Sequence, residues 1–402
     1  MRIALAMSSF FPAVGGAQVT ANNLARFLVS EGHEVVMLVS PKSWRALKPD
    51  RSKFPYEISP MFPLPQRGIP RFGELYLKLQ DVYLSYLQRK YRFNLWQSFG
   101  AYPTGVSIAH FTAKRGIPHV VRTVGYDVQK MESIDYGYRL NPKINSIIER
   151  WMKKASVAVA LTESVVPDLR EIGVEDDHIE VVQCGVDTNK FMQTQAEVAT
   201  TRSKYGIPHD KFVFLTVGRN HPKKGFSDLV KAADLLRVKR GAHDFHNVFV
   251  GKDMEPLSDL AFELGIRDQV TFIDELGKSE LDDAYEVPSS DLIALYKAAD
   301  TCVFPSLIEA HSHINIEAMA AGLPVISTDA PGVKYTVVDG EDGLLAQPND
   351  PESLSVTMNR VMDDSELREH LKNQGMKSAE NKYDWSVVGA KYLDIYERLT
   401  GR

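Results

Sequence analysis

Cysteine is nearly missing from this sequence: Cys184 and Cys302 are too few for a disulfide framework and lack the paired spacing of a metal site. That scarcity points to a reducing compartment, so a cytoplasmic protein is expected. No apolar run approaches the roughly 20 residues needed to span a bilayer. Met1–Met7 is a short apolar run that leads straight into Ser8-Ser9-Phe10-Phe11-Pro12. It lacks the longer apolar region and cleavage site of a signal peptide, and reads as a buried first strand. The dinucleotide fingerprint G-x-G-x-x-G is absent, as are short-period repeats and low-complexity tracts.

What is present fits a two-domain α/β protein. The chain has 402 residues, of which 44% are apolar and 25% charged, enough for two buried cores. Residues 1–180 hold 23 Lys+Arg against 17 Asp+Glu, a balance of +6, and the remainder holds 24 against 35, or −11. A basic first half and an acidic second half suggest different partners. Strand-like and helix-like segments alternate throughout. Strands are expected at Ile3–Met7, Val35–Val39, Leu95–Phe99, Val120–Val124, Val157–Leu161 and Ile179–Val182, with helices such as Ala17–Glu31 and Ile144–Lys154 between them. The pattern restarts at Phe212–Val217, continues with a helix from Phe226 to about Arg237, and adds strands at Val248–Val250, Val270–Ile273, Thr301–Phe304 and Val325–Ser327. Such alternation predicts parallel sheets built of βαβ units. The polar stretch Gln193–Ser203 sets a boundary near residue 190, giving domains over 1–190 and 191–380. Residues 381–402 contain Val388, Tyr392, Ile395 and Tyr396 at helical spacing, an amphipathic helix.

Three features carry chemistry. Gly15-Gly16 follows the first strand and precedes a helix, where backbone can approach a ligand and free N–H groups can meet phosphate; an ordinary βα turn is the alternative. Val217-Gly218-Arg219-Asn220-His221-Pro222-Lys223-Lys224-Gly225 follows the strand that opens the second domain. Arg219 and Lys224 there suit a diphosphate, or form a solvated basic turn. The run Pro305 to Ile326 holds Glu309 in a loop and Glu317, eight positions later, in the next helix. Carboxylates accept hydrogen bonds from paired sugar hydroxyls, although a loop cap and a surface helix residue are the plain alternatives.

From Glu309 to Pro324 the sequence resembles the retaining glycosyltransferases of the GT-B fold, the group 1 (family 4) class. The resemblance covers nearly the whole chain. Gly15-Gly16-Ala17-Gln18 matches the N-terminal glycine loop. Tyr102-Pro103-Thr104-Gly105, Arg115-Gly116-Ile117-Pro118 and Gly125-Tyr126-Asp127-Val128 follow in the usual order, then Cys184-Gly185-Val186-Asp187-Thr188 with Phe191. It implies an α/β GT-B architecture, two Rossmann-like domains facing across a cleft, with the C-terminal helix crossing back to the first domain. It also implies that Arg219 and Lys224 hold the donor diphosphate and stabilise the departing nucleotide. Glu309 then contacts the donor sugar, assisted by His311, Ser312 and His313. Glu317 takes the ribose hydroxyls, and Gly15 and Gly16 approach the phosphate. Tyr126 and Asp127 lie on the acceptor side. The co-substrate implied is a nucleotide-diphosphate sugar, UDP- or GDP-linked, with no further cofactor and no metal, because the Arg/Lys pair supplies the electrostatics. A glycan or lipid-linked acceptor is expected, and no nucleic acid.

Two departures stand out. Val124 occupies the position where many members carry a histidine, and Ala310-His311-Ser312-His313 replaces the usual glycines and aromatic. Two histidines alone make an incomplete metal site, and His119 reads as a structural strand residue. An epimerase, another GT-B enzyme, or a non-catalytic nucleotide-sugar-binding protein are the competing functions. Residues 42–92 hold 11 Lys+Arg against 4 Asp+Glu, with nine aromatics. Leu75, Leu79, Tyr83 and Tyr86 share a helical face there. Either this segment meets an anionic membrane surface, as a peripheral protein of the inner face, or it packs on its own sheet behind a charged outer face.

Overall fold

The structure, a computed structural model, describes residues 1–62, 68–240, 244–276 and 285–401. It divides into two compact units: Met1–Gly185 with Trp385–Arg402, and Val186–Asp384.

The first unit is built on β1 (Arg2–Met7), β2 (Glu34–Val39), β3 (Glu57–Pro60), β4 (Leu95–Phe99), β5 (His119–Arg122), β6 (Val157–Ala160) and β7 (Ile179–Val181). All pairings are parallel, in the order β3-β2-β1-β4-β5-β6-β7. Ile3 stands beside Val35 on one side and Leu95 on the other. Runs such as Val35–Val39 are wholly buried, as parallel strands covered on both faces must be. The helix Gly16–Ser30 buries Val19, Leu24, Ala25 and Leu28. The helix Gly68–Tyr91, kinked at Gly73, buries Leu77, Leu84, Leu87 and Tyr91. The last helix, Trp385–Thr400, belongs to this unit although its sequence follows the second. It buries Val388, Tyr392, Ile395 and Tyr396, and the Tyr396 hydroxyl bonds to Gln97 of β4.

The second unit holds β8 (Phe212–Val217), β9 (Phe245–Val250), β10 (Val270–Ile273), β11 (Thr301–Phe304), β12 (Val325–Thr328) and β13 (Leu344–Ala346). Their order is β10-β9-β8-β11-β12-β13, again parallel throughout. Phe214, Phe226, Phe249, Val303 and Phe304 anchor its core. In each sheet the strand order reverses once, between β1 and β4 and between β8 and β11. Loops leaving neighbouring strands there run to opposite faces, and a crevice opens at the strands' carboxyl ends. The Gly218–Gly225 turn and the Pro305–Ser312 loop both leave from such a point.

The chain passes between units at Gly185–Val186, about five residues before the expected boundary near 190, and returns at Asp384–Trp385. The Val186 N–H bonds to the Tyr383 carbonyl (2.8 Å), and the Thr188 hydroxyl donates to Asp384 Oδ2 (2.5 Å). The second part of the polar stretch Gln193–Ser203 forms the helix Val198–Lys204. Arg202, buried there, donates to the carbonyls of Ala298, Pro208 and Lys211 and pairs with Asp300 (2.9 Å). Its polarity serves the interior of the second unit. Strands β3 and β13, edge strands of four and three residues, add to those expected from the apolar runs. Strand β9 starts earlier than its apolar run, at Phe245, because His246 and Asn247 are buried in it.

Candidate active site

The site of the second unit begins where β8 ends. Past Val217 the chain makes a short turn, Pro222–Lys224, in which His221 Nδ1 accepts the Lys223 N–H (3.2 Å). Gly225 closes the turn at φ +65°, and a Cβ there would lie 2.1 Å from the Pro305 carbonyl oxygen. The turn therefore sits directly on the loop after β11. The Leu307 N–H donates to the Lys223 carbonyl (2.7 Å), locking the two loops together.

That contact delivers charge to charge. Lys223 Nζ lies 2.9 Å from Glu309 Oε2, and Lys224 Nζ lies 2.5 Å from Glu309 Oε1. The Ser306 hydroxyl donates to Glu309 Oε1 (3.1 Å). Lys224 also lies 4.5 Å over the Phe304 ring. Glu309 is buried. Burial opposes its ionisation, but the two ammonium groups override that and hold its carboxyl down at about 2. Lys224 moves the other way from what Glu309 favours. Burial pulls its ammonium down to about 8, and the charges of Lys223 and Arg219 add to the fall. Two ammonium groups meet one carboxylate, so the cluster keeps surplus positive charge. The same surplus, after burial, depresses His221. Arg219 is exposed and reaches the cluster through its field.

Glu317 is placed differently. It sits in the helix His313–Ala320, buried, and accepts a hydrogen bond from the Tyr296 hydroxyl (3.0 Å). Burial raises its carboxyl to about 7, with the Tyr296 bond working against the rise. Tyr296, from the helix Ser290–Ala298, stands 6.3 Å from Phe191, ring to ring. Ser312 caps the Glu317 helix, its Oγ accepting the Asn315 N–H (3.3 Å). His311 is buried, 5.6 Å from the Tyr383 ring and 6.4 Å from the half-buried His313. The Glu309 loop is fixed from behind. Gly332, at φ +81°, would place a Cβ 1.7 Å from the Glu309 carbonyl oxygen. Gly332→Ala should therefore displace that loop. Left-handed strain alone costs about 1–3 kcal/mol, and the overlap adds to it. A fall in melting temperature together with loss of nucleotide binding is the expected result; an unchanged melt would show that the loop gives way easily.

The remaining sequence candidates lie in the first unit. Gly15 is the extended residue preceding the helix Gly16–Ser30, which starts without a side-chain cap. Tyr126 is exposed, with Tyr138 and Tyr136 edge-on at 4.5 and 5.1 Å. Asp127 needs correcting as an acceptor-side group. It is fully buried, and its carboxylate accepts the N–H groups of Ala101 (2.5 Å) and Val124 (2.9 Å). It ties the loop after β5 to the loop after β4 and presents nothing outward. His119 is buried with Nε2 3.1 Å from Ser98 Oγ, and burial lowers its ring to about 3. Lys223, Ser306 and Tyr296 were not singled out from sequence. The Lys223-Lys224 doublet held a visible signal. Tyr296, 21 positions from Glu317, held none.

Residues 197–378 match the family described as Glycosyl transferases group 1, and residues 14–190 match Glycosyltransferase Family 4. The chain belongs to the group 1/family 4 glycosyltransferases. Among curated relatives, a D-inositol 3-phosphate glycosyltransferase of Corynebacterium efficiens is 27% identical over 63% of this chain and 58% of its own length. The chain spans about half the length of other curated relatives it matches. A glycosyltransferase from Rickettsia africae superposes with a TM-score of 0.79 at 18% identity, covering 99% of this chain and 98% of that one. Anabaena HepE, solved with UDP-glucose, gives a TM-score of 0.76 at 17% identity over 99% and 100% of the two chains. These likenesses establish the GT-B fold of this glycosyltransferase. Among the described residues, no helix is long and apolar enough to cross a membrane.

Proposed function

We propose that this glycosyltransferase moves a sugar from a UDP- or GDP-linked donor to a glycan or lipid-linked acceptor, with retention of anomeric configuration and without a metal ion, in polysaccharide or glycolipid biosynthesis. The observation that carries this reading is the surplus cation of the Lys223–Lys224–Glu309 cluster at the carboxyl ends of β8 and β11. A crevice at that position with net positive charge suits a diphosphate. Lys224 and Arg219 take the charge that builds on the departing nucleotide, the role a metal fills elsewhere. Glu309, held ionised, accepts hydroxyls of the donor sugar, and Glu317 accepts the ribose pair. The UDP-glucose bound by HepE makes UDP-sugars the first donors to try.

The test is a panel of UDP- and GDP-sugars incubated with the full chain, read by free nucleotide and sugar. Slow donor hydrolysis with nucleotide release is expected, and EDTA leaves its rate unchanged. Sugar interconversion without release would point to an epimerase, binding without turnover would remove the catalytic reading, and loss of activity in EDTA would end metal independence.

A further inference from the structure

Among the described residues, the helix Gly68–Tyr91 has a second apolar face that its own unit leaves uncovered. Leu75, Leu79, Val82 and Tyr86 are 63, 64, 72 and 56% exposed, while Leu77, Leu84 and Leu87 of the same helix are buried. At 3.6 residues per turn the four exposed side chains fall within about 60° of arc and along about 16 Å of helix. Tyr83, which the sequence places on the same face, turns inward and donates to the Pro60 carbonyl (2.8 Å). Beside this ridge Phe62 and Phe72 are also exposed. Unlike singly exposed apolar residues, a contiguous apolar patch marks a contact surface.

Charge identifies the partner. The exposed charged residues of this helix are Arg71, Lys78, Arg89 and Lys90, all basic. Lys78 and Arg89 flank one side of the ridge and Lys90 the other. The helix's two acids are drawn away: Glu74 pairs with Arg150 (2.6 Å) and Asp81 with His110 (2.9 Å). A second copy of the chain would bring like charges together, and four side chains fall well short of the roughly 800 Å² per partner of a stable interface. A bilayer needs only a shallow apolar ridge and a ring of cations. The geometry points to an anionic phospholipid surface as the partner of this helix, with Leu75, Leu79, Val82 and Tyr86 entering the headgroup boundary and Lys78, Arg89 and Lys90 meeting lipid phosphates. This inference is independent of the donor site and stands or falls without it.

Co-sedimentation of the full chain with vesicles tests it. The protein is expected to bind vesicles of phosphatidylglycerol and phosphatidylcholine at low salt, to leave them as salt rises, and to ignore phosphatidylcholine alone. Each membrane-facing cation contributes roughly fivefold to partitioning, so Lys78→Gln, Arg89→Gln and Lys90→Gln together should lower it roughly a hundredfold. Leu79→Ser with Val82→Ser, which leaves charge untouched, should lower it by a similar factor of roughly a hundred. Leu79 and Val82 are exposed, so the serine variant keeps the parent's melting temperature, and the glutamine variant loses only the Lys90 bond to the Tyr91 hydroxyl (2.7 Å). No binding by the parent protein, equal binding to neutral vesicles, or full binding by the serine variant would overturn the inference. So would a dimer in solution that the serine variant dissolves.

Discussion

Replacing Lys224 by alanine lowers the turnover of sugar transfer by about 10²–10³-fold, the loss typical of removing one preorganised group that meets developing charge. The fold survives, because Glu309 keeps its bonds to Lys223 and Ser306. Melting curves of the variant close to the parent's, beside the collapsed rate, separate chemistry from stability. Arginine at the same position is the sharper probe. Burial brings the Lys224 ammonium down to about 8, so transfer should weaken as pH rises through that value. A guanidinium does not titrate there. Lys224→Arg should therefore flatten the alkaline limb of the kcat/KM profile even where its rate is low. An alkaline limb unchanged in the arginine variant, or an alanine variant with near-normal turnover, would remove Lys224 from the reaction.

Glu317→Gln makes the protein more stable and its donor binding worse. The native carboxyl titrates near 7 because it is buried, against 4.5 in the unfolded chain. The folded state thus holds a proton that the unfolded chain releases. This contribution is complete below pH 4.5 and disappears as pH rises through about 7. Glutamine mimics the protonated form at every pH. Above pH 7 the variant should exceed the parent by about 3 kcal/mol, a difference that vanishes below pH 4.5. Thermal melts across that range read it directly. Donor affinity should fall by about ten- to a hundredfold, the worth of hydrogen bonds to an ionised acceptor. Tyr296→Phe removes the bond that favours ionisation, so the pH at which the parent loses donor affinity should move upward. A variant that gains stability and keeps full donor affinity would show that Glu317 is only a buried structural acid.

The acid and alkaline limits also bear on each other. Glu317 ionises near 7 and Lys224 loses its proton near 8, leaving a narrow band in which both are charged. Glu309 does not enter, since its two lysines keep it ionised far below that band.

Much of this was legible in sequence because the signals are local. Buried parallel strands read as apolar runs, so β1, β8, β10 and β11 were found within a residue of their ends. The ordered series of glycine loop, basic turn and paired glutamates marks the family by sequence alone. What depended on distant residues was not legible. The role of Arg202 inside a polar stretch is hidden, because its partners, Ala298 and Asp300, lie nearly a hundred positions away. Asp127 looked like a ligand group, because nothing nearby in sequence shows that Ala101 takes its second oxygen. The helix Gly68–Tyr91 carries apolar residues around most of its circumference. Only tertiary packing, which sets this helix against the helices Val106–Ala113 and Pro142–Met152, decided that Leu77 goes inside and Leu79 stays out. By itself the sequence determined the βαβ layout and the identity of the charged groups, since both are written in period and composition. Tertiary structure alone decided which charges meet. The pairing of Lys223 and Lys224 with Glu309, and the isolation of Glu317 against Tyr296, set how readily each ionises. Ionisation follows burial and neighbours in space, which a linear sequence does not contain.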